Sequence, residues 1–395
     1  MNNKKQRNQL FTMLLLVMAI LMPYGGAWAQ TPPANGNGDV DNPYIITKAE
    51  ELAWFRNEVN SGKNNICAKI ADDVKVIDMS TVCHAADESQ NLEELSWEPI
   101  GNEDIRYEGT FDGNNKTITN LYVNASQYYK GLFGHTYQST IKNLTFENAN
   151  VTNTNKYTEI LVGDARYGST LQNIKISNTS QIKGGVDYTG GIAGKLDGNA
   201  YNCVNYAMVQ GQEDVGGLFG SYSRAGNSIT ACANYGKVTA SSQIAGGLVG
   251  YFDSGTILDC ANYGDVKGTN RVAGMAGFVS QGKIKNVFSY GSICATKSTQ
   301  DIGMAFGYSS SGATEGMVAY YSGAKQTVNT QEIKVKAFGN GKPSEDNATG
   351  FTEAQIKSGE VAWLLNGSTS VPTEGSTLAW YQKLGDNGVI MLCTT

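Results

Sequence analysis

Histidine is nearly absent from this sequence, since the 395 residues include only His84 and His135. The chain therefore has no His-Glu-x-x-His zinc motif, and only these two histidines could serve in a Ser-His-Asp triad. Basic residues are also scarce, with 30 Lys and Arg against 36 Asp and Glu. Nucleic acids and anionic lipid surfaces are bound by clustered basic residues. Neither is expected as a partner, and the sequence suggests no cofactor.

Long apolar runs are absent except for one of about 13 residues, from Leu10 to Met22. It follows three basic residues and precedes the small-x-small site Ala27-Trp-Ala29, so residues 1–29 are predicted to be a secretory signal peptide. An uncleaved membrane anchor is the alternative, but it would need about 20 apolar residues. No cysteine follows the run, so a lipoprotein is not predicted. Cleavage near Ala29 would leave 27 basic and 36 acidic residues, a net charge of −9, and no integral membrane segment.

Proline is rare and glycine abundant, with 7 and 47 residues. The glycines recur in one motif: Gly131-Leu-Phe-Gly134, Leu161-Val-Gly163, Gly190-Gly-Ile-Ala-Gly194, Gly216-Gly-Leu-Phe-Gly220, Gly246-Gly-Leu-Val-Gly250, Gly274-Met-Ala-Gly277 and Gly303-Met-Ala-Phe-Gly307. Successive closing glycines are separated by 29, 31, 26, 30, 27 and 30 residues. A repeat of this length predicts a stacked array of similar units.

The repeat unit is predicted to be extended rather than helical. Each copy contains short β-branched or aromatic runs bounded by Gly, Asn, Asp and Ser, without the apolar spacing of a helix. The segment from Thr117 to Leu121 resembles an eighth, opening copy. We therefore expect an all-β fold, a right-handed parallel β-helix of about eight coils. At roughly 4.8 Å between strands the rod would be about 40 Å long.

These residues resemble a known family. The motif Gly246-Gly-Leu-Val-Gly250, with the downstream segment Cys260-Ala-Asn-Tyr-Gly264, is similar to the GLUG repeat. That repeat is found in secreted and surface proteins of gut Bacteroidetes and in bacterial IgA metallopeptidases and adhesins. The resemblance extends to a lead-in and a trailing segment: Trp97-Glu-Pro-Ile-Gly101, Gly109-Thr-Phe-Asp-Gly113, Gly359-Glu-Val-Ala-Trp-Leu-Leu-Asn366 and Trp380-Tyr-Gln-Lys-Leu-Gly385. It implies a β-helical, adhesin-like surface protein and indicates little about activity.

The organisation we predict has a β-helix at residues 109–323 between two caps. Residues 30–41 read as a flexible linker, 42–108 as an N-terminal cap and 324–395 as a C-terminal cap region. Each cap contains a predicted short helix, which would cover the exposed edge of the terminal coil. The helix signals are two capping boxes and apolar residues on one face: Thr47-Lys-Ala-Glu50 with Leu52, Phe55 and Val59, and Thr352-Glu-Ala-Gln355 with Val361, Leu364 and Leu365.

The cysteines divide into two groups. Cys203, Cys232 and Cys260 share a column that other repeats fill with Leu, Ile and Val, which indicates core positions. Their parallel side chains suit a disulfide poorly, and three Cys in a line without a fourth ligand do not form a metal site, so free thiols are expected. Cys67 and Cys83 lie in the cap and could form a disulfide. Cys294 and Cys393 have no evident partners.

Two further columns follow the cysteines. Asn205, Asn234 and Asn262, continued by Ser289, should face inward as an amide ladder. The next position holds the four residues that we name the tyrosine strip: Tyr206, Tyr235, Tyr263 and Tyr290. These rings should face outward, and a flat row of them would suit stacking of sugar rings or peptides. The alternative is an aromatic ladder that stabilises the sheet and binds nothing.

An enzyme of the β-helical polysaccharide-cleaving kind would need clustered carboxylates. Asp197 and Asp253 share a column but lie two coils apart, with Ser223 between them, which is roughly 10 Å. That separation slightly exceeds the spacing of an inverting pair. We expect a secreted or cell-surface recognition protein without catalytic activity, which binds a glycan or a host or matrix protein along one face. The rivals are a lyase or glycoside hydrolase, and a structural spacer or part of a longer protein.

Overall fold

The computed structural model describes residues 31–90, 92–297, 300–341, 348–367, 379–381 and 391–392. The predicted signal peptide and Cys393 lie outside these residues. Within them the chain forms parallel strands that stack coil upon coil, which confirms the parallel β-helix. Eight parallel strands of the nine-stranded sheet mark about eight coils, and a ninth, Gln331–Ile333, folds back antiparallel on Gln326–Val328.

Three parallel sheets form the sides of the rod. The largest has 19 strands: Tyr44–Ile46, Ala68–Ile70, Val76–Asp78, Thr110–Thr119, Phe133–Tyr137, Thr140–Glu147, Val162–Ile176, Ala193–Tyr201, Val204–Asn205, Phe219–Thr230, Ala233–Asn234, Val249–Leu258, Ala261–Asn262, Ala276–Val279, Lys283–Ser289, Phe306–Ser309, Ala313–Tyr321, Phe338–Gly341 and Ala348–Phe351. We call it the long sheet.

The second sheet has nine strands: Tyr122–Ala125, Asn150–Asn153, Gln181–Lys183, Met208–Gly211, Val238–Ala240, Val266–Gly268, Ile293–Ala295, Gln326–Val328 and Gln331–Ile333. The third has five: Thr189–Gly190, Val215–Gly216, Ile244–Gly246, Arg271–Ala273 and Ile302–Gly303. A separate antiparallel pair joins Trp380–Tyr381 to Met391–Leu392. Short 3-10 helices occupy Met79–Thr81 and Glu88–Gln90.

The paired glycines of the repeat have separate steric reasons. A Cβ on Gly216 would lie 1.9 Å from the carbonyl oxygen of Phe219, within the same turn. A Cβ on Gly217 would lie 2.1 Å from the carbonyl oxygen of Gly247 in the next coil and 2.4 Å from Cγ of Asn234, a buried member of the amide ladder. The first glycine therefore permits the tight turn, and the second makes room for the asparagine inside it.

The amide ladder is confirmed. Asn205, Asn234 and Asn262 are fully buried, and the Nδ2 groups of Asn205 and Asn234 each donate to the Oδ1 of the next asparagine at 2.9 Å. Each Nδ2 also donates to a backbone carbonyl two residues further along its own coil. Buried amides satisfied in this way fix the register between successive coils.

The N-terminal helix, Ala49–Asn60, covers the first coil as predicted. Its Leu52, Phe55 and Val59 are buried, and the Phe55 ring lies 6.0 Å from that of Tyr107. The predicted capping box is wrong in one residue. The carboxylate of Glu51, not Glu50, accepts hydrogen bonds from the backbone N and the Oγ1 of Thr47, at 2.6 and 2.9 Å. The helix starts one residue later than predicted, so Thr47 precedes the N-cap residue, Lys48.

The predicted boundaries of the β-helix are too narrow. Parallel pairing begins with Tyr44–Ile46 and continues to Ala348–Phe351, so both predicted caps contain strands of the rod. Part of the predicted flexible linker is also fixed, because the carbonyl of Gly38 accepts from the N–H of Cys67 at 2.7 Å. Glycines with positive φ, Gly36 and Gly38, turn this segment back onto the first strand.

The C-terminal helices lie on the side of the rod, not over its end as we expected. Glu353–Lys357 begins with the predicted capping box of Thr352 and Gln355, and Glu360–Leu365 follows. Their buried side chains pack on an outward-facing column of the long sheet. That column is apolar from Val204 onward: Val204, Ala233, Ala261, Phe288 and Ala319. An apolar lateral surface of this kind needs a cover, which explains where the helices dock.

The described cysteines are free thiols. Cys203, Cys232 and Cys260 are buried in the core, as predicted. The suggested disulfide between Cys67 and Cys83 is absent. The two sulfurs lie against different strands, where they accept from the backbone N–H groups of Thr110 and Tyr122. Burial raises the pKa of the Cys83 thiol to about 11, which makes it an unreactive core residue.

Candidate functional site

The tyrosine strip forms at the corner between the long sheet and the nine-stranded sheet. The rings of Tyr206 and Tyr235 stack with centroids 4.7 Å apart, and those of Tyr235 and Tyr263 at 4.6 Å. Tyr290 continues the column at 6.2 Å, and Tyr321 adds a fifth ring that sequence reasoning missed. The rings of the Tyr206–Tyr235, Tyr235–Tyr263 and Tyr290–Tyr321 pairs are nearly parallel, so each ring covers a face of its neighbour. The strip is therefore an aromatic ladder and not a flat platform for sugar rings.

The C-terminal helices cover much of this ladder. Val361, Ala362 and Leu365 are buried in a second small core, against which Tyr235, Tyr263 and Tyr290 pack. A second anchor is Trp380, whose Nε1 donates to Oδ1 of Asp259 at 3.4 Å. Burial raises the pKa of Tyr235 to about 12 and that of Tyr263 well above its ordinary value. These two phenols are consequently poor candidates for contact with a ligand.

Tyr206 is the open end of the strip, with 37% of its surface exposed. A shallow depression of about 250 Å³ lies beside the ring, and its lining includes Glu147, Lys175 and Asn178. The Lys175 ammonium lies 5.7 Å from the ring centroid. The two columns that hold alanines and tyrosines in the coils after Tyr206 hold polar residues in the two coils before it. Thr145 and Lys175 lie in the alanine column, and Glu147 and Ser177 lie in the tyrosine column. Tyr206, at this polar boundary, is thus the most exposed ring of the strip, and Tyr235, Tyr263 and Tyr290 are half-buried.

A second aromatic ladder, which sequence reasoning missed, lies beyond the nine-stranded sheet. Tyr157 stacks on Tyr129 at 4.7 Å and on Tyr188 at 5.2 Å, and His135 stacks on Tyr129 at 5.1 Å. Its signal was present, because a tyrosine precedes the closing glycine by five or six residues in three successive repeats. In later coils a separate stack places Phe278 between Tyr251 and Tyr308, and the Arg271 guanidinium lies 4.9 Å from the Phe278 ring.

Two carboxyl groups are buried beside the second ladder. Glu159 occupies the column that Gly131 and Gly190 fill in neighbouring coils, and it is completely buried. Neither of its carboxyl oxygens makes a regular hydrogen bond within the described residues. Burial raises the pKa of Glu159 well above its ordinary value, and nearby Asp164 adds to the shift. Asp164 is buried too, and its Oδ2 accepts from Nε of Arg166 at 2.7 Å.

Glu159→Gln is expected to stabilise the protein increasingly as pH rises. The folded-state pKa of Glu159 lies above the unfolded value, so wild-type stability falls as pH rises beyond the ordinary value of 4.5. Glutamine mimics the neutral acid and removes that loss, with a gain of at least about 1 kcal/mol at pH 8. Thermal unfolding at pH 5 and pH 8 measures the difference. The exposed Glu332→Gln is the control, and an equal gain at both pH values would contradict the argument.

The acids considered for an enzymatic site are held by local partners. Asp197 accepts from Nη1 of Arg224 at 3.3 Å, and Asp253 accepts from Oγ of Ser223 at 3.1 Å. Glu159 and Asp164 are out of reach of a polymeric substrate because both are fully buried. Among the described residues, no group of three or more His, Cys, Asp or Glu side chains is arranged to hold a metal ion. The described part of the chain also contains no helix long and apolar enough to cross a membrane.

Comparison with solved structures supports the architecture. A protein from Bacteroides ovatus, described provisionally as an immunoglobulin A1 protease, superposes with a TM-score of 0.59 and 20% sequence identity. The match covers 91% of this chain and 95% of that one. At this identity the likeness shows the fold alone.

Sequence comparisons reach two much longer proteins. Halomucin of Haloquadratum walsbyi is 30% identical over 224 residues, which are 56% of this chain and 2% of halomucin. A protein of Evansella cellulosilytica, described provisionally as a Gly-rich membrane protein, is 31% identical over 102 residues, 26% of this chain and 10% of that protein. The chain thus spans only a small part of either relative. No family model matches the sequence.

Proposed function

We propose that this protein is a secreted or cell-surface recognition protein without catalytic activity. It resembles GLUG-repeat adhesins and binds a glycan or an extracellular host or matrix protein along one lateral face. One observation carries this proposal: the tyrosine strip, half-buried elsewhere, is exposed at Tyr206 beside a depression lined by charged and amide side chains. An exposed aromatic ring with polar neighbours is typical of recognition surfaces.

The stacking within the strip changes how a ligand would be bound. Because the rings of Tyr235 and Tyr263 face each other, a ligand would meet the edge of the ladder and the ring of Tyr206. Glu147 and Lys175 would add directed hydrogen bonds on the polar side. The binding energy is then concentrated at one end of the strip and not shared by four rings.

The test is an array of glycans and extracellular matrix proteins probed with residues 30–395. We expect Tyr206→Ser to weaken binding at least about tenfold, because a central aromatic contact contributes more than 1 kcal/mol. Tyr167→Ser is the matched control, since Tyr167 is 49% exposed but lies elsewhere, beside Tyr137. Equal binding by both variants would contradict the assignment to Tyr206. If the wild-type protein bound nothing, a structural spacer would be favoured.

A further inference from the structure

A larger depression, of about 510 Å³, lies where the N-terminal cap meets the loop before Gly131. The nine-stranded sheet separates it from Tyr206, since that residue precedes the sheet in its coil and the loop follows it. The side chains that matter for its chemistry are Glu98, Asn102, Glu103, Tyr128, Lys130 and Asn155. Its volume falls within the usual range of small-molecule sites.

Tyr128 differs from the ladder rings beside it. It makes an edge contact with Tyr157, at 6.5 Å and 79°, and a tilted contact with Tyr129, at 6.0 Å and 59°. Neither is a parallel stack, and 44% of Tyr128 remains exposed. This ring is therefore turned out of the ladder, which leaves aromatic surface open at the depression. The hydrophobic C–H face of a sugar ring packs on such a surface.

Three polar side chains around Tyr128 are held in place before any ligand arrives: Lys130, Asn102 and Asn155. Lys130, 7% exposed in its side chain, donates to Oε2 of Glu98 at 3.0 Å. The Oδ1 of Asn102 accepts from the backbone N–H groups of Asp104 and Ile105, which leaves its NH₂ group to donate. Asn155 is fixed in the same way by the N–H of Lys156 and the carbonyl of Ser126. Fixed polar groups lose little entropy on binding.

The charge of the depression restricts its ligand. Glu98 and Glu103 contribute two carboxylates, and Lys130 contributes one ammonium that Glu98 already binds. Glu103 is exposed and forms no ion pair or hydrogen bond within the described residues. Among these lining side chains the surplus is negative, and the nearby Lys156 is paired with Asp187, which disfavours uronates, sialic acids and sulfated sugars. A free carboxylate and an amide NH₂ suit hydroxyl groups, which can both donate and accept.

We propose that this depression is a second binding site, which takes one uncharged sugar unit of a glycan. The sugar packs its C–H face on Tyr128, and its hydroxyl groups bond to Glu103 and to the NH₂ group of Asn102. The site is separate from Tyr206 and does not depend on what Tyr206 binds.

The test uses an array of neutral oligosaccharides alongside uronate-containing, sialylated and sulfated ones, followed by titration with the best neutral binder. We expect binding to neutral sugars only, with Tyr128→Ala weakening it at least about tenfold. Tyr167→Ser should leave this binding unchanged, because Tyr167 is exposed and lines neither depression. Glu103→Gln should weaken neutral binding and reduce the discrimination against acidic sugars, because it removes the repulsive charge.

Three results would overturn the proposal. The first is no binding to any neutral oligosaccharide by the wild-type protein, whatever Tyr206 is found to bind. The second is unchanged affinity in both Tyr128→Ala and Glu103→Gln, each checked for an unaltered thermal unfolding curve. The third is a preference of the wild-type protein for acidic sugars. Tyr128 and Glu103 are both exposed, so neither substitution should affect folding.

Discussion

Replacing Asn234 by alanine is expected to lower the free energy of unfolding by about 3 kcal/mol or more. The side chain is fully buried and makes four hydrogen bonds, to Asn205, to Asn262 and to both backbone groups of Gly236. Its loss leaves the Gly236 carbonyl and the Oδ1 of Asn262 without these donors, at a cost of about 1–3 kcal/mol for each buried group. A small cavity opens as well. Denaturant unfolding measures the change.

The matched control is Asn173→Ala, in a column three positions earlier in the coil. Asn173 also belongs to an amide ladder, with Asn143 below and Asn202 above, but it is only partly buried. The same column contains Ala231 with a φ of 53°, so alanine is accepted there. We expect a loss below about 1 kcal/mol, as is usual away from buried networks. Equal losses in the two variants would show that burial is not what makes the inner ladder important.

Leu365→Asp is expected to release the C-terminal helices from the side of the rod. The leucine is 1% exposed within the second core, and a carboxylate placed there loses its hydration without a partner. A cost of about 3 kcal/mol corresponds to a roughly hundredfold increase in the undocked population. Trypsin cleavage at Lys357, between the two helices, should become correspondingly faster. The strands up to Phe351 should stay resistant, because their pairing does not involve the helices.

Trp363→Asp is the control for this experiment. Trp363 lies on the same helix, Glu360–Leu365, but 45% of it is exposed. The same charge on the outer side should leave the cleavage rate within about threefold of wild type. If both variants were cleaved at the same faster rate, helix propensity or net charge would explain the effect and not the docking of Leu365. Release would also expose Tyr235, Tyr263 and Tyr290, so binding by the Leu365→Asp variant would report on the covered part of the strip.

The repeat spacing explains why the sequence predicted which residues stack in columns. It also explains why the sequence did not predict which of those side chains a ligand can reach. In a coil of parallel strands, residues one repeat apart must stack, so a column of asparagines becomes an amide ladder and a column of tyrosines becomes a ring stack. The predicted ladder of Asn205, Asn234 and Asn262 followed directly. The same rule stacks the tyrosine rings face to face, so they do not form the flat row of outward-facing rings that the spacing predicted. An aromatic ring stays available to a ligand at the end of a column, as Tyr206 does, or outside the column, as Tyr128 does.

Irregular positions were harder to interpret. Glu159 replaces a glycine of the motif, and its burial places an unpaired carboxyl group inside the turn. Departures from a local rule of this kind concentrate at functional or strained sites. The sequence showed that the glycine was missing, but only the packing of the neighbouring coils showed that the carboxyl group is inaccessible. The exposure of Tyr206 was likewise not predictable from the repeat, because the helices that cover the other tyrosines lie more than 60 residues further along the chain.

The sequence by itself determined the parallel β-helix, its approximate number of coils, its buried cysteine and asparagine columns and the helix over its first coil. All of these depend on periodicity or on local signals, which short-range sterics and hydrogen bonding convert directly into structure. The tertiary structure alone decided which surfaces stay open. Three features depend on contacts between distant segments: the docking of Leu365 on the apolar column, the contact of the N-terminal cap with the Tyr128 loop, and the absence of a disulfide between Cys67 and Cys83. Periodicity carries no information about such contacts, because they form once in the molecule and not once in every coil.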